Sequence, residues 1–244
     1  MGMNFAVAAL ESFPPLRRLP GDVEVDLVFP KANETYKLIW PFPIIYATRN
    51  ASQLWQENYE VAHFSVSWQV SGFPYQESTW TGQKHLHAGS GVWSPLNELG
   101  TNHYGDQTVR PDDDVHMRFE TLNTNIINGT ERMFRLDHST SLKFACPPNG
   151  TVAAKDVSTC EQIVFYLDPE STRLPGFASV ASSCSLPVTN FGFTDITWTN
   201  YGERCMKIAP TRHSDPCGLK LDAEDLANRT QAAMLEPRPV LGGR

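Results

Sequence analysis

Residues 59–72, YEVAHFSVSWQVSG, alternate so strictly that an extended chain is the conformation that sorts them. Ala62, Phe64, Val66, Trp68 and Val70 share one side; Val61, His63, Ser65, Ser67 and Gln69 share the other. Successive side chains of a strand point to opposite faces of its sheet, so this segment has a dry face and a wetter one. Such a strand needs partners on both edges and a second layer over its dry face.

The same period recurs along the chain. Val23, Val25, Leu27 and Phe29 alternate with Glu24 and Asp26, which reads as a strand with its acidic side in water. Pro30 ends it, because proline has no N–H for the ladder. A short strand within 35–40, a proline kink and a buried strand over 43–48 are expected, then further strands within 78–95, 112–123, 131–146 and 191–208 and a buried one over 162–168. Strand signals at intervals of about 10–15 residues, with no helical period between them, predict an all-β antiparallel β-sandwich, immunoglobulin-like or jelly-roll-like. One segment differs. DAEDLANRTQAAML (222–235) is rich in helix formers and acidic at its start, so a short C-terminal helix is expected there. The organisation that follows is a loose arm or remnant leader over 1–20, a sandwich over 21–221, and a helix with a disordered tail over 222–244.

Bulk properties narrow the partners. The chain has 244 residues, a net charge of −7 and no basic stripe, so it lacks the electrostatic footprint of a nucleic-acid binder. No apolar run is long enough to span a bilayer as a helix. With 18 Pro and 16 Gly, short elements joined by turns are favoured, and a monomer is expected.

Compartment is read from Asn and Cys. Asn-x-Ser/Thr triplets stand at Asn33, Asn50, Asn128, Asn149 and Asn228, against about two expected from the composition. Five acceptor triplets predict a secreted, extracellular glycoprotein. Cys146, Cys160, Cys184, Cys205 and Cys217 form no Cys-x-x-Cys pair, so disulfides are expected rather than a zinc knuckle. Five cysteines allow two bridges and one thiol. Cys146–Cys160 would close a short loop around Asn149, and two of Cys184, Cys205 and Cys217 would then pair. The N-terminal MGMNFAVAAL has no basic n-region and a short apolar run, so a leader is not evident and is expected to be missing from this sequence.

Catalytic patterns are scarce. His85 and His87 share one strand face and could hold a copper or zinc ion with His63 or His103, although exposed polar residues explain them as well. Asp112, Asp113 and Asp114 fit no EF-hand spacing and read as a solvated turn. Candidate acids such as Asp26, Glu120, Asp137 and Asp195 are present, but a glycosidase needs two held across a cleft. No nucleophile elbow, phosphate loop or dinucleotide fingerprint occurs, and no cofactor is expected. Trp80 and Trp93 flank Gly/Ser-rich turns and could stack on sugar faces, but packing in the core or in turns is the favoured reading.

Two stretches carry a resemblance. VDLVFPKANETY (25–36) followed by FPIIYATRNASQLW (42–55) resembles the N-terminal signature of fungal secreted proteins in domain-of-unknown-function family 7136. Cys184, Trp198, Cys205 and Asp215-Pro216-Cys217 are similar to its later pattern. The resemblance covers residues 22 to about 225 and implies a fungal source, secretion and a β-rich fold, but no chemistry. The resulting expectation is a non-catalytic secreted protein in contact with cell-wall or plant polysaccharide. The alternative is a carbohydrate-active enzyme or metal-binding accessory protein with a groove site.

Overall fold

The computed structural model describes residues 23–50, 61–74, 86–94, 115–122, 131–146, 151–155, 161–172, 176–198, 204–209 and 215–235. The strands are β1 (Val23–Phe29), β2 (Thr35–Lys37), β3 (Phe42–Arg49), β4 (Val61–Pro74), β5 (Leu86–Trp93) and β6 (Val115–Leu122), then β7 (Glu131–Cys146), β8 (Thr151–Lys155), β9 (Glu161–Asp168), β10 (Leu186–Trp198) and β11 (Arg204–Ala209). Two helices, α1 (Phe177–Ser182) and α2 (Ala223–Leu235), complete the described elements.

The strands form two sheets. Sheet A has the order β11-β10-β1-β3-β6 and is antiparallel throughout. Sheet B has the order β2-β9-β7-β4-β5, with β8 paired to the far end of β7. Its strands are antiparallel except β2, which runs parallel to β9. The fold is the expected all-β sandwich. The β4 alternation is realised: Phe64, Val66, Trp68 and Val70 are buried, while Gln69 is exposed and Ser67 half-buried. The expected C-terminal helix forms as α2. Asp222 caps it, its carboxylate accepting the Asp225 N–H at 2.8 Å, and Glu224 and Asp225 occupy the first turn, where the helix dipole favours negative charge.

An aromatic chain binds the sheets together. Phe29 and Phe42 of sheet A meet Tyr36 and Phe165 of sheet B, with the Phe42–Phe165 rings stacked at 5.5 Å and Phe165–Phe134 at 5.7 Å. Each buried Phe contributes on the order of 1.5–3 kcal/mol relative to an exposed one.

The acidic side of β1 is not in water, contrary to the pattern expectation. All seven residues of β1 are buried, and Asp26 has no exposed surface. The reason lies far along the sequence. Val180 of α1, Leu226 of α2 and Leu219 between them join the same apolar cluster as Val28, Ile45 and Ala47. Phe177 packs on Phe29, and Arg229 of α2 lies over the Phe119 ring at 5.1 Å. These elements cover the outer face of sheet A. Nothing among the described residues covers the corresponding face of sheet B.

Candidate functional site

Three polar clusters stand out, and their surroundings separate support from function.

The first lies under the α-helical layer. Arg49 of β3 reaches both acids of β1: its Nε is 2.8 Å from Asp26 Oδ2, and its Nη2 pairs with Glu24 Oε1. The same Nη2 donates to the Asp215 carbonyl at 2.7 Å, and Lys31 Nζ donates to the Cys184 carbonyl at 2.7 Å. Ser185 donates its backbone N–H (2.8 Å) and its hydroxyl (3.0 Å) to the Pro216 carbonyl. The Cys184–Cys217 disulfide, with a Cα separation of 4.3 Å, closes this layer. A Cβ at Gly218 would push against the Asp215 carboxylate and the Arg49 guanidinium, so a larger residue there would displace these two side chains. Burial pushes the Asp26 carboxyl up to about 6; Arg49 opposes the shift and Glu24 adds to it. Burial likewise lowers the Lys31 ammonium, with Asp26 opposing. The acids of this cluster are buried against their partners while Cys184, Asp215 and Cys217 stand at the surface, and the cluster acts as a clamp.

The second lies between the sheets. Tyr46 of β3 meets Trp93 of β5 at 5.7 Å and His138 of β7 edge-on at 6.5 Å, and Trp68 is paired with His138 across β4 and β7. Tyr46 Oη, Trp68 Nε1, Trp93 Nε1 and both His138 nitrogens have no hydrogen-bond partner among the described residues. Burial lowers the His138 pKa to about 4 against the pull of Asp137, so the imidazole is neutral above that pH. Burial, with Glu120 adding, drives the Tyr46 hydroxyl far above its ordinary value. Tyr46 is fully buried and His138 nearly so, and the cluster is interior packing that backs onto a trough on the outer face of sheet B.

The third is open. On the outer face of sheet B, β4, β5 and β7 form a trough of about 380 Å³ lined by Ser67, Gln69, Ser90, Val92, Asp137 and Ser139, with Trp68, Gly91 and His138 also in its wall. The register explains this grouping: Ser67 faces Ser139 and Val92, and Gln69 faces Asp137 and Ser90. The Ser67 and Ser139 hydroxyls are 2.7 Å apart. Asp137 Oδ2 accepts from Arg135 Nε at 2.9 Å, while its Oδ1 is buried and has no partner among the described residues. Glycine makes the floor. A Cβ at Gly91 would stand 2.6 Å from Trp68 Nε1, so only glycine lets β5 cross the indole. The trough is thus a row of donors and acceptors held by a three-strand ladder, with Val92 (70% exposed) at its rim.

A second concavity of about 490 Å³ lies at the β2–β9 end of the same sheet, lined by Thr35, Arg132, Tyr166, Leu167, Asp168 and Glu170. Arg132 Nη1 pairs with Asp168 Oδ1 at 2.7 Å, and that oxygen also accepts the Glu170 N–H at 3.0 Å.

The residues singled out from sequence distribute as follows. Asn33 is exposed in a turn at φ 60°, Asn50 is half-buried at φ 53°, and Asn228 is exposed on α2. Asn128 and Asn149 lie outside the described residues. Of the three later cysteines, Cys184 and Cys217 pair. Cys146 and Cys205 lie on β7 and β11, and Cys160, with the bridge expected to it, falls outside the described residues. His87 is exposed on β5, with Nε2 3.5 Å from Ser90 Oγ; His85 and Trp80 lie outside the described residues. No group of three potential metal ligands occurs among the described residues. Trp93 is 3% exposed and packs on Tyr46, so its ring presents no face for a sugar. Trp40, which the sequence reading passed over, is 59% exposed. Tyr166 was also missed, inside a segment read as wholly buried. The alternation of Ile163, Phe165 and Leu167 with Val164, Tyr166 and Asp168 was the available signal.

A family model described as a domain of unknown function (DUF7136) matches residues 18–237. No curated protein matches the chain.

Proposed function

This chain belongs to the DUF7136 family, and from that premise we propose that it is a secreted fungal glycoprotein, non-catalytic, that contacts cell-wall or plant polysaccharide through the trough on sheet B. The observation that carries the reading is the asymmetry of the two sheets. Helices and a disulfide-closed segment lie over sheet A, while sheet B presents Ser67, Gln69, Ser90, Asp137 and Ser139 in one open row. Hydroxyl and amide groups both donate and accept, as sugar hydroxyls do, so they suit a neutral glycan. The Arg135–Asp137 pair leaves the row without a strong net field, which disfavours a highly charged polymer. The acceptor triplets and paired cysteines support secretion, and the resemblance of residues 25–36 and 42–55 supports a fungal source.

The test is a pull-down against insoluble cell-wall and plant polysaccharides with a glycan array, run beside a reducing-sugar release assay. Retention on at least one neutral polysaccharide, without release, is expected. Sugar release would make the protein an enzyme, and no retention on any polymer would remove the reading.

A further inference from the structure

We propose that the pocket at the β2–β9 edge is the cradle of this chain's own glycan, linked at Asn33. The inference rests on the secreted-glycoprotein reading but not on polysaccharide binding, which is assigned to the other concavity.

Three observations converge on one corner of the molecule. Asn33 stands in an exposed turn with left-handed backbone, a conformation that asparagine tolerates, and its N–H donates to the Val164 carbonyl at 2.7 Å. The next pairs continue onto β9: the Glu34 carbonyl accepts the Tyr166 N–H at 2.9 Å, and Thr35 is registered with Tyr166. The acceptor triplet Asn33-Glu34-Thr35 is therefore pinned to the strand that floors the pocket, and Thr35 itself lines it.

The lining suits the first sugar of such a glycan. Tyr166 offers a half-buried ring for the apolar face of a pyranose. Arg132, Asp168 and Glu170 offer donors and acceptors for hydroxyl and acetamide groups, two of them already held in place by their ion pair. The attachment balances simply. Asn33 Nδ2 forms a bond to the anomeric carbon of a lipid-pyrophosphate-linked oligosaccharide, the carbon–oxygen bond to the pyrophosphate breaks, and Nδ2 loses a proton.

The other described acceptors lack this combination, although Asn50 shares the left-handed backbone. Asn50 is half-buried. Asn228 lies on α2, where its Thr230 is buried and donates its hydroxyl to the Leu226 carbonyl at 2.7 Å. Neither triplet contributes to a pocket lining. A glycan at Asn33 also answers a structural need. β2 is a three-residue edge strand with Thr35 and Lys37 exposed, and uncovered edges invite pairing with other chains.

The test uses the full chain secreted from a glycosylating eukaryotic host. Glycopeptide mass spectrometry gives occupancy, and the release of each glycan from folded protein by a glycoamidase gives protection. Asn33 is expected to be occupied and released at least tenfold more slowly than Asn228 in the native protein, with equal rates after denaturation. Thermal unfolding supplies a second readout: Tyr166→Ala should shift the unfolding equilibrium at least threefold more in the glycosylated chain than in the Asn33→Gln background. Equal native release rates, or an additive Tyr166→Ala effect, overturns the cradle. An unmodified Asn33 beside modified Asn50 or Asn228 also overturns it and leaves secretion standing. No glycan at any of the five positions removes both.

Discussion

Arg49 Nε lies 2.8 Å from Asp26 Oδ2 on the outer face of sheet A, and the same guanidinium also holds Glu24 and the Asp215 carbonyl. One cation thus joins two adjacent strands to the segment that leads into α2. Removing it strands two carboxylates in a place without water. Arg49→Met is expected to cost about 3–5 kcal/mol of stability, read by chemical denaturation. Adding Glu24→Gln and Asp26→Asn to that variant should restore most of the loss, because the penalty comes from the uncompensated charges. An Arg49→Met protein as stable as the parent would mean that the face is wetter than described.

Stability against pH carries two opposing signatures. His138 titrates at about 4 in the folded protein against an ordinary 6.5. The unfolded chain therefore binds more protons between those values, and stability falls as pH drops from 6.5 towards 4, by about 3 kcal/mol in full. Asp26 moves the other way. Its folded value of about 6 exceeds the ordinary 3.8, so its contribution is present below 3.8 and is lost as pH rises through 6. In the overlap the two cancel in part. His138→Phe should expose the Asp26 signature, with stability rising from pH 6.5 to 4, and Asp26→Asn should expose the His138 one. Urea midpoints at several pH values measure both, and identical profiles for parent and variants would contradict the burial argument.

Gly91 is the narrowest point of β5. Gly91→Ala places a methyl carbon 2.6 Å from Trp68 Nε1 and must displace the indole. A cost of about 1–3 kcal/mol is expected, with altered tryptophan fluorescence. An unperturbed spectrum at parental stability would show that β5 does not cross the ring.

The Cys184–Cys217 bridge spans 33 residues, from the end of α1 to the approach of α2. Closing a loop of that size stabilises the fold by about 3–4 kcal/mol in the chain-entropy account. Cys184→Ser with Cys217→Ser should lower the melting temperature accordingly and loosen α2 first, seen as faster amide exchange over 223–235. Uniform exchange across the molecule would argue against the clamp.

Much of this architecture is legible in the chain. The alternation of β4 and the capped, alanine-rich α2 are local properties, and local physics decides them. The buried face of β1 is not local. Glu24 and Asp26 read as wet until Arg49, and elements more than 150 residues away, cover them. The short strand β2 was legible ahead of its proline kink, but its parallel pairing with distant β9 was not. Trp93 is buried and Trp40 is 59% exposed, and no local pattern distinguishes the two rings. The trough was legible only in part: alternation placed Ser67 and Gln69 on a wet face, while the register that brings Ser90, Asp137 and Ser139 beside them is tertiary.

The most direct measurement of the central claim is a titration of isotope-labelled protein with a soluble fragment of whichever polysaccharide retains it, followed by backbone amide shifts. The account predicts saturable shifts at residues 67, 69, 90, 92, 137 and 139, weakened several-fold in Gln69→Ala with Asp137→Ala, and none over α2. Shifts confined to the helical side of sheet A, or binding unchanged in the double variant, would contradict it.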